Sequence, residues 1–262
     1  MRLAVTTARS PSRALRAEAR DAAARHHLPF VEREAQRLPE LVRQVGVEAL
    51  LVLGGRTVTL HLDGADHCYA PGMGALRARR LVVGELVTRD PFLAAAGLLP
   101  GDQVLDCTLG LGADSLVAAE AVGGAGCVVA LESSPALAAW VAEGLRRVAL
   151  PAARRIEVRC AEHGPALAEL PDRSFDVVLF DPMFRHARAQ ARTFDAVRRL
   201  ADHRPLEPAA LERARRVARR FVVVKDGAPG WDLRRLGLAP LPGSRWAKRL
   251  YGRAAAVTAA RP

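Results

Sequence analysis

The stretch DCTLGLGADS, residues 106–115, sets Asp106 four positions ahead of Gly110, follows with Gly112, and adds Asp114 two places on. Two residues without a Cβ let a loop bend sharply and let a ligand approach its backbone. Glu132 ends the next apolar run, CVVALES, 20 residues after Gly112. A carboxylate in that place can accept both hydroxyls of a ribose. A loop built for a pyrophosphate would read GxGxxG, but Ser115 stands at the third glycine position and Asp106 would repel phosphate. A tight β-turn with incidental acids is the competing reading.

A second constellation is FDVVLFDPMFRH, residues 175–186, in which Asp181, Pro182 and Phe184 follow an apolar run. The nitrogen lone pair of an exocyclic base amine is delocalised into the ring. A carboxylate and a backbone carbonyl that hold the amine hydrogens can turn that lone pair outward. Pro182 stiffens the turn, Phe184 can stack on an extruded base, and Arg185 and Arg188 can hold its phosphates. A plain strand-ending Asp-Pro turn with Phe184 in the core is the alternative. Taken with the glycine loop, the residues suit a ligand with a ribose and an ammonium but no phosphate, which points to S-adenosylmethionine as cofactor.

These residues need a scaffold that brings strand ends to one edge. From Gly101 onward, QVLDCTL, CVVALES, RIEVRC, FDVVLFD and RFVVVKD read as buried strands that alternate with helical segments, including a long arginine-rich one from Arg188 to Arg220. Such alternation predicts a Rossmann-like, doubly wound, mostly parallel sheet. LGLAPLP and RLYGRAAAV are expected to complete seven strands as an antiparallel hairpin. In that fold ligands bind beyond the carboxyl ends of the strands. The first third reads as a small α/β subdomain. Strand LAVTT precedes a helix opened by Ser10-Pro11; LPFVER is a second strand, LPELVRQVG a helix ending near Gly46, and a hairpin turns at Gly54-Gly55. We place the subdomain at 1–85 and the ligand-binding domain at 86–262.

Thirty-nine basic against 28 acidic residues give a net charge of +11. Only Lys225 and Lys248 are lysines, so part of the bias is compositional, but the excess still favours a polyanionic partner. Arg77, Arg79 and Arg80, with Arg185 and Arg188, flank the candidate site and are expected to contact RNA. Solvated helix faces are the usual alternative. No apolar run reaches the roughly 18 residues of a membrane span, no secretory leader is evident, and no cysteine or histidine pattern suggests a metal. A cytoplasmic location is expected, with no membrane partner.

Residues 101–226 resemble the class I S-adenosylmethionine-dependent methyltransferases, whose first motif matches DCTLGLG. More narrowly, DCTLGLGADSLVAA, ALESSP, LFDPMF and the preceding PGMGALRARR resemble the bacterial 16S rRNA guanine-N2 methyltransferases. Ala113 stands where those enzymes carry arginine, and Arg185 where they carry proline. The resemblance implies that Asp106, Thr108, Gly110 and Gly112 form the cofactor loop, with Ala113 and Asp114 near the methionine end. It also implies that Glu132 and Ser133 meet the ribose, Ala161 and Glu162 lie near the adenine, and Asp181 is close to the transferred methyl. Glu162 reads equally as a helix-start acid. The expected activity is methylation of an exocyclic base amine in ribosomal RNA. Alternatives are a small-molecule or protein methyltransferase, a non-catalytic RNA-binding protein of the same fold, and a nicotinamide-dependent reductase, which the missing third glycine disfavours.

Overall fold

The structure is a computed structural model that describes residues 1–84, 90–182, 192–242 and 248–257. A first sheet has the order β1 (Leu3–Thr7), β2 (Ala49–Leu53), β3 (Val58–Leu62), β4 (Ala65–Cys68). β1 and β2 run parallel, and helices α1 (Arg13–Arg25) and α2 (Leu38–Val45) form the crossover between them. Ser12, not Ser10, caps α1, accepting from the Leu15 N–H at 3.1 Å; Ser10 sits in the preceding turn at φ +51°. Gly46 closes α2 in the left-handed conformation, as glycine does without a Cβ penalty. The Gly54-Gly55 hairpin joins β2 to β3 in antiparallel register. LPFVER does not become a strand; it makes one bridge, Phe30 to Val5.

The second sheet carries β5 (Gln103–Asp106), β6 (Cys127–Glu132), β7 (Ile156–Cys160), β8 (Phe175–Phe180), β9 (Ala218–Gly227) and β10 (Arg249–Ala255). Their order is β10-β9-β8-β5-β6-β7, and every pair is parallel except β10 with β9. The chain winds outward one way from β5 to β7 and the other way from β8, so the switch point lies between β5 and β8. Alternate residues feed opposite cores, which explains the near-continuous apolar runs of the central strands, whereas edge strand β7 keeps Glu157 and Arg159 exposed. Val104, Val128, Val177 and Val223 pack with Phe92 of α4 (Pro91–Ala96) and Val117 of α5 (Ala113–Val122). Leu105, Val129, Val178 and Val222 pack with Leu167 of α7 (His163–Glu169) and Leu211 of α9 (Pro208–Val217).

Among the described residues the sheet has six strands, not the expected seven. LGLAPLP contributes a single bridge, Pro240 to Gly252, and one backbone bond from the Leu241 N–H to the Tyr251 carbonyl at 2.8 Å. Pro240 and Pro242 have no N–H to extend that ladder.

Helix α6 (Pro135–Leu145) lies between the two sheets. Its Leu137, Trp140, Val141 and Leu145 share one core with Leu3, Val5, Leu51, Leu53, Val58 and Leu60 of the first sheet. The Trp140 indole N–H donates to the Val58 carbonyl at 3.3 Å. Buried Glu143 accepts from Arg25 at 3.0 Å and faces the His26 ring nitrogen at the same distance. Tyr69 follows β4, lies over Gly144, and donates its hydroxyl to the Leu111 carbonyl at 3.0 Å. The remaining helices are α3 (Met73–Val82), α8 (Arg192–Leu200) and α10 (Trp231–Arg235). α3 rests on α5 so closely that a Cβ at Gly74 would come within 2.5 Å of the Ala113 Cα.

Candidate active site

The loop after β5 supplies the centre of the site. Gly110 and Gly112 both adopt left-handed conformations, at φ +52° and +73°, and Gly112 starts α5. A Cβ at Gly110 would meet only the loop's own Thr108 carbonyl, at 4.0 Å, so its outer side is open to a ligand. Asp106 braces the loop: one carboxylate oxygen accepts from the Thr108 N–H at 3.0 Å and the other from the Ser115 hydroxyl at 2.5 Å. Burial pushes the Asp106 carboxyl up to about 6, against the pull of these two hydrogen bonds.

Glu132 closes β6 beside this loop. Its carboxylate accepts from the Ser134 N–H at 2.9 Å and the Gly110 N–H at 3.3 Å, and burial raises it above its ordinary value. Ser133 follows Glu132 directly in the chain. Each oxygen of a carboxylate has two lone pairs, so this acid is held in place with acceptor capacity to spare. The loop and Glu132 thus match an adenosine-bearing cofactor that needs a glycine cradle and a ribose acceptor.

Asp181 directly follows β8 on the other side of the switch point, and its N–H donates to the Thr108 hydroxyl oxygen at 2.6 Å. Thr108 therefore ties the glycine loop to the Asp181-Pro182 turn. Lys225, from β9, bridges Asp181 and Asp114; its ammonium lies 2.8 Å from Asp114 and is also ion-paired to Asp181. Asp114 further receives Arg77 at 2.6 Å, and Arg77 forks onto Asp90 at 2.7 and 2.9 Å. Burial works to raise Asp114, but Lys225 and Arg77 hold it below its ordinary value. Asp181 is shifted upward by its enclosure, which Lys225 counteracts and the nearby Asp114 charge reinforces. With 34% of its side chain exposed against 10% for Asp114 and 11% for Lys225, Asp181 is the member of this cluster that an incoming group can reach. Phe92, Asp106, Asp114, Asp181, Lys225 and Tyr251 line a small pocket here.

The structure therefore gathers Asp106, Thr108, Gly110, Gly112, Ala113, Asp114, Glu132, Ser133 and Asp181 at one edge. Ala161 lies at the same edge, its N–H donating to the Glu132 carbonyl at 2.9 Å. Glu162 starts α7 and is exposed, paired with Arg204 at 3.4 Å. Arg77 is turned inward and committed to two carboxylates, which removes it from the expected RNA-contacting set, whereas Arg79 and Arg80 are exposed on α3. Phe184, Arg185 and Arg188 lie outside the described residues. Lys225 was not anticipated; its signal is a lysine, one of two in the chain, closing an apolar strand at the same sheet edge.

Residues 73–233 match the family model described as "Putative SAM-dependent methyltransferase". The uncharacterized protein YpiP of Bacillus subtilis (strain 168) is 36% identical over 232 residues, covering 85% of this chain and 88% of its own. Ribosomal RNA small subunit methyltransferase J of Thioalkalivibrio sulfidiphilus is 32% identical over 212 residues, covering 73% of this chain and 79% of its own. Among solved structures, a SAM-dependent methyltransferase from Aquifex aeolicus covers 70% of this chain and 98% of its own at 19% identity, with a TM-score of 0.43. With the family model matched over more than half its length and the glycine loop, Glu132 and Asp181 gathered at the switch point, the chain belongs to the S-adenosylmethionine-dependent methyltransferases.

Proposed function

We propose that this methyltransferase acts on an exocyclic base amine of ribosomal RNA, guanine N2 being the position that its sequence resemblance favours. The observation that carries the reading is the placement of Asp181 and Pro182. A partly exposed carboxylate follows β8 and is tied through Thr108 to the loop that would hold the cofactor. S-adenosylmethionine, when bound, supplies an electrophilic methyl on a sulfonium. The glycine loop and Glu132 would hold its amino-acid and ribose portions. Asp181 accepts one hydrogen of the target amine, and the Pro182 carbonyl is available for the other. Holding both hydrogens weakens conjugation of the nitrogen lone pair with the ring and aims it at the methyl. Lys225 fixes the carboxylate and favours its ionised, accepting form. Once nitrogen has gained the methyl it is cationic, and Asp181 is the nearest group in this cluster to take the surplus proton.

The 32% identical relative named as a small-subunit rRNA methyltransferase supports the RNA reading, as does the excess of 39 basic over 28 acidic residues. The test is nucleoside mass spectrometry of ribosomal RNA from cells with and without the protein, paired with single-turnover assays on isolated subunits. Asp181→Ala should lower methyl transfer by about 100-fold or more, the usual loss for one preorganised transition-state contact. Its effect on cofactor affinity should be far smaller. Full transfer by that variant would remove the amine mechanism.

A further inference from the structure

A second, larger cavity lies away from the glycine loop, on the first sheet. It measures about 770 Å³, and its wall includes Arg9 after β1, Arg33 and Arg37 ahead of α2, His61 of β3, Asp66 of β4 and Asp195 of α8. We propose that this cavity is an RNA-docking site in which Arg9, Arg33 and Arg37 hold phosphodiester groups of the substrate. The identity of the ligand rests on the RNA reading above.

The charge arrangement carries the inference. Three guanidinium groups face one space with two carboxylates, and both carboxylates already have cationic or proton-sharing partners. Asp66 lies 2.5 Å from the His61 ring nitrogen, and Asp195 pairs with Arg198 of its own helix at 3.0 Å. Among the described residues, none of the three guanidinium groups has an ion pair within 4.0 Å; the Glu40 carboxylate meets Arg37 at its backbone N–H, at 3.1 Å. Several arginines elsewhere are neutralised, Arg25 by Glu143, Arg77 by Asp90 and Asp114, Arg147 by Glu18; what distinguishes the cavity is that three unpaired ones converge on one space. Arg33 uses its Nε–H on the Gln36 carbonyl at 3.1 Å, which orients the guanidinium while leaving its terminal nitrogens available. Burial and then the charge of Arg9 lower Arg33, and Asp66 of the same cavity offsets part of this; an anion between the two arginines would relieve the repulsion further. Leu38 and Pro39, at the amino end of α2, form part of the wall and add the positive end of a helix dipole.

Arginine is suited to such a ligand because its planar fork grips two phosphate oxygens at once. A cavity of this size admits one or two nucleotides rather than a single ion. One wall is α8, the helix that follows the Asp181 strand in the chain, so the docking surface and the reaction edge are joined by a short stretch of backbone.

The test uses the full-length protein and a fluorescently labelled transcript of small-subunit ribosomal RNA, with affinity measured across a salt series. Replacing Arg9, Arg33 and Arg37 with glutamine should flatten the slope of log affinity against log salt by about 2, at about 0.7 per lost phosphate contact on single-stranded RNA. The corresponding triple lysine variant should restore most of that slope. KM for RNA should rise with kcat little changed, and cofactor affinity by calorimetry should stay at the parent value. Should the triple glutamine variant fail to fold, the single exposed substitution Arg9→Glu must still lower the slope. An unchanged slope overturns the proposal. So does protection of the protein by pyrophosphate in thermal melts that the arginine variants lose while RNA binding stays intact, since the site would then serve a free phosphate compound. The two readings fail separately: a wild-type protein that methylates RNA with arginine-independent affinity loses only the docking site. One that binds RNA through these arginines but transfers no methyl loses only the proposed reaction.

Discussion

Replacing Asp106 with asparagine isolates the cost of burying a charge beneath the glycine loop. Asp106 titrates near 3.8 in an exposed chain and is raised to about 6 in the fold, chiefly by burial. A carboxylate whose folded value lies above its unfolded one binds more protons when folded between those two limits. Its stabilising contribution is therefore complete below pH about 4, and it is lost as pH rises through about 6. The difference of about two pH units corresponds to about 3 kcal/mol at neutral pH. Asparagine preserves the hydrogen bonds, because its carbonyl accepts from the Thr108 N–H and its amide donates to a rotated Ser115 hydroxyl. Asp106→Asn should thus match the parent protein at pH about 4 and exceed it by up to about 3 kcal/mol at pH about 7.5, or roughly 6–10 °C in melting temperature. Urea unfolding of the cofactor-free protein across that range measures the effect. If the two proteins keep the same stability difference at every pH, Asp106 carries no desolvation penalty and the reasoning fails.

Gly110→Val forces a branched residue to φ +52° and fills the open side of the loop; the left-handed strain alone costs about 1–2 kcal/mol, and calorimetry should show cofactor affinity reduced by tenfold or more. Lys225→Met removes the cation between Asp181 and Asp114. In the proposed mechanism transfer requires the Asp181 carboxylate and is lost as pH falls through its pKa. Losing the cation raises that value further, so the acid limb of the kcat profile should move to higher pH, and an unmoved limb would separate Lys225 from the chemistry. Gly144→Ala places a Cβ 2.2 Å from the Tyr69 ring; overpacking of this kind costs typically 1–3 kcal/mol, read as a lower urea midpoint.

The gathering of these residues at one sheet edge was legible because they sit at the ends of consecutive apolar runs, and a parallel sheet brings such ends together whatever the helices between them contain. Asp106, Gly110, Glu132 and Asp181 share that logic. Lys225 escaped it, since its partner Asp114 is 111 residues away and no local spacing links them. Arg77 was misread with Arg79 as one basic face. Residues two apart on a helix point to nearly opposite sides, and only packing on α5 decides which of them turns inward. β4, ADHC, carries no apolar alternation, because its inward residue is His67. Among the described residues LGLAPLP makes a single bridge in place of a strand, for which Pro240 and Pro242 were a visible warning, outweighed by the leucines around them.

The placement of α6 has a consequence for how the molecule comes apart. Trp140, Val141 and Leu145 complete the interior of the first sheet as well as lying over the second, so neither sheet has a finished apolar core without the same helix. Local opening of the amino-terminal third would bare that helix to water, and an excised fragment starting at residue 86 would carry the exposed surface permanently. The two sheets should therefore melt as one cooperative unit, with a single heat-absorption peak whose calorimetric and van't Hoff enthalpies agree. Amide exchange in β1 and β2 should be as slow as in β5 and β8, because no partly unfolded form spares one sheet at the expense of the other.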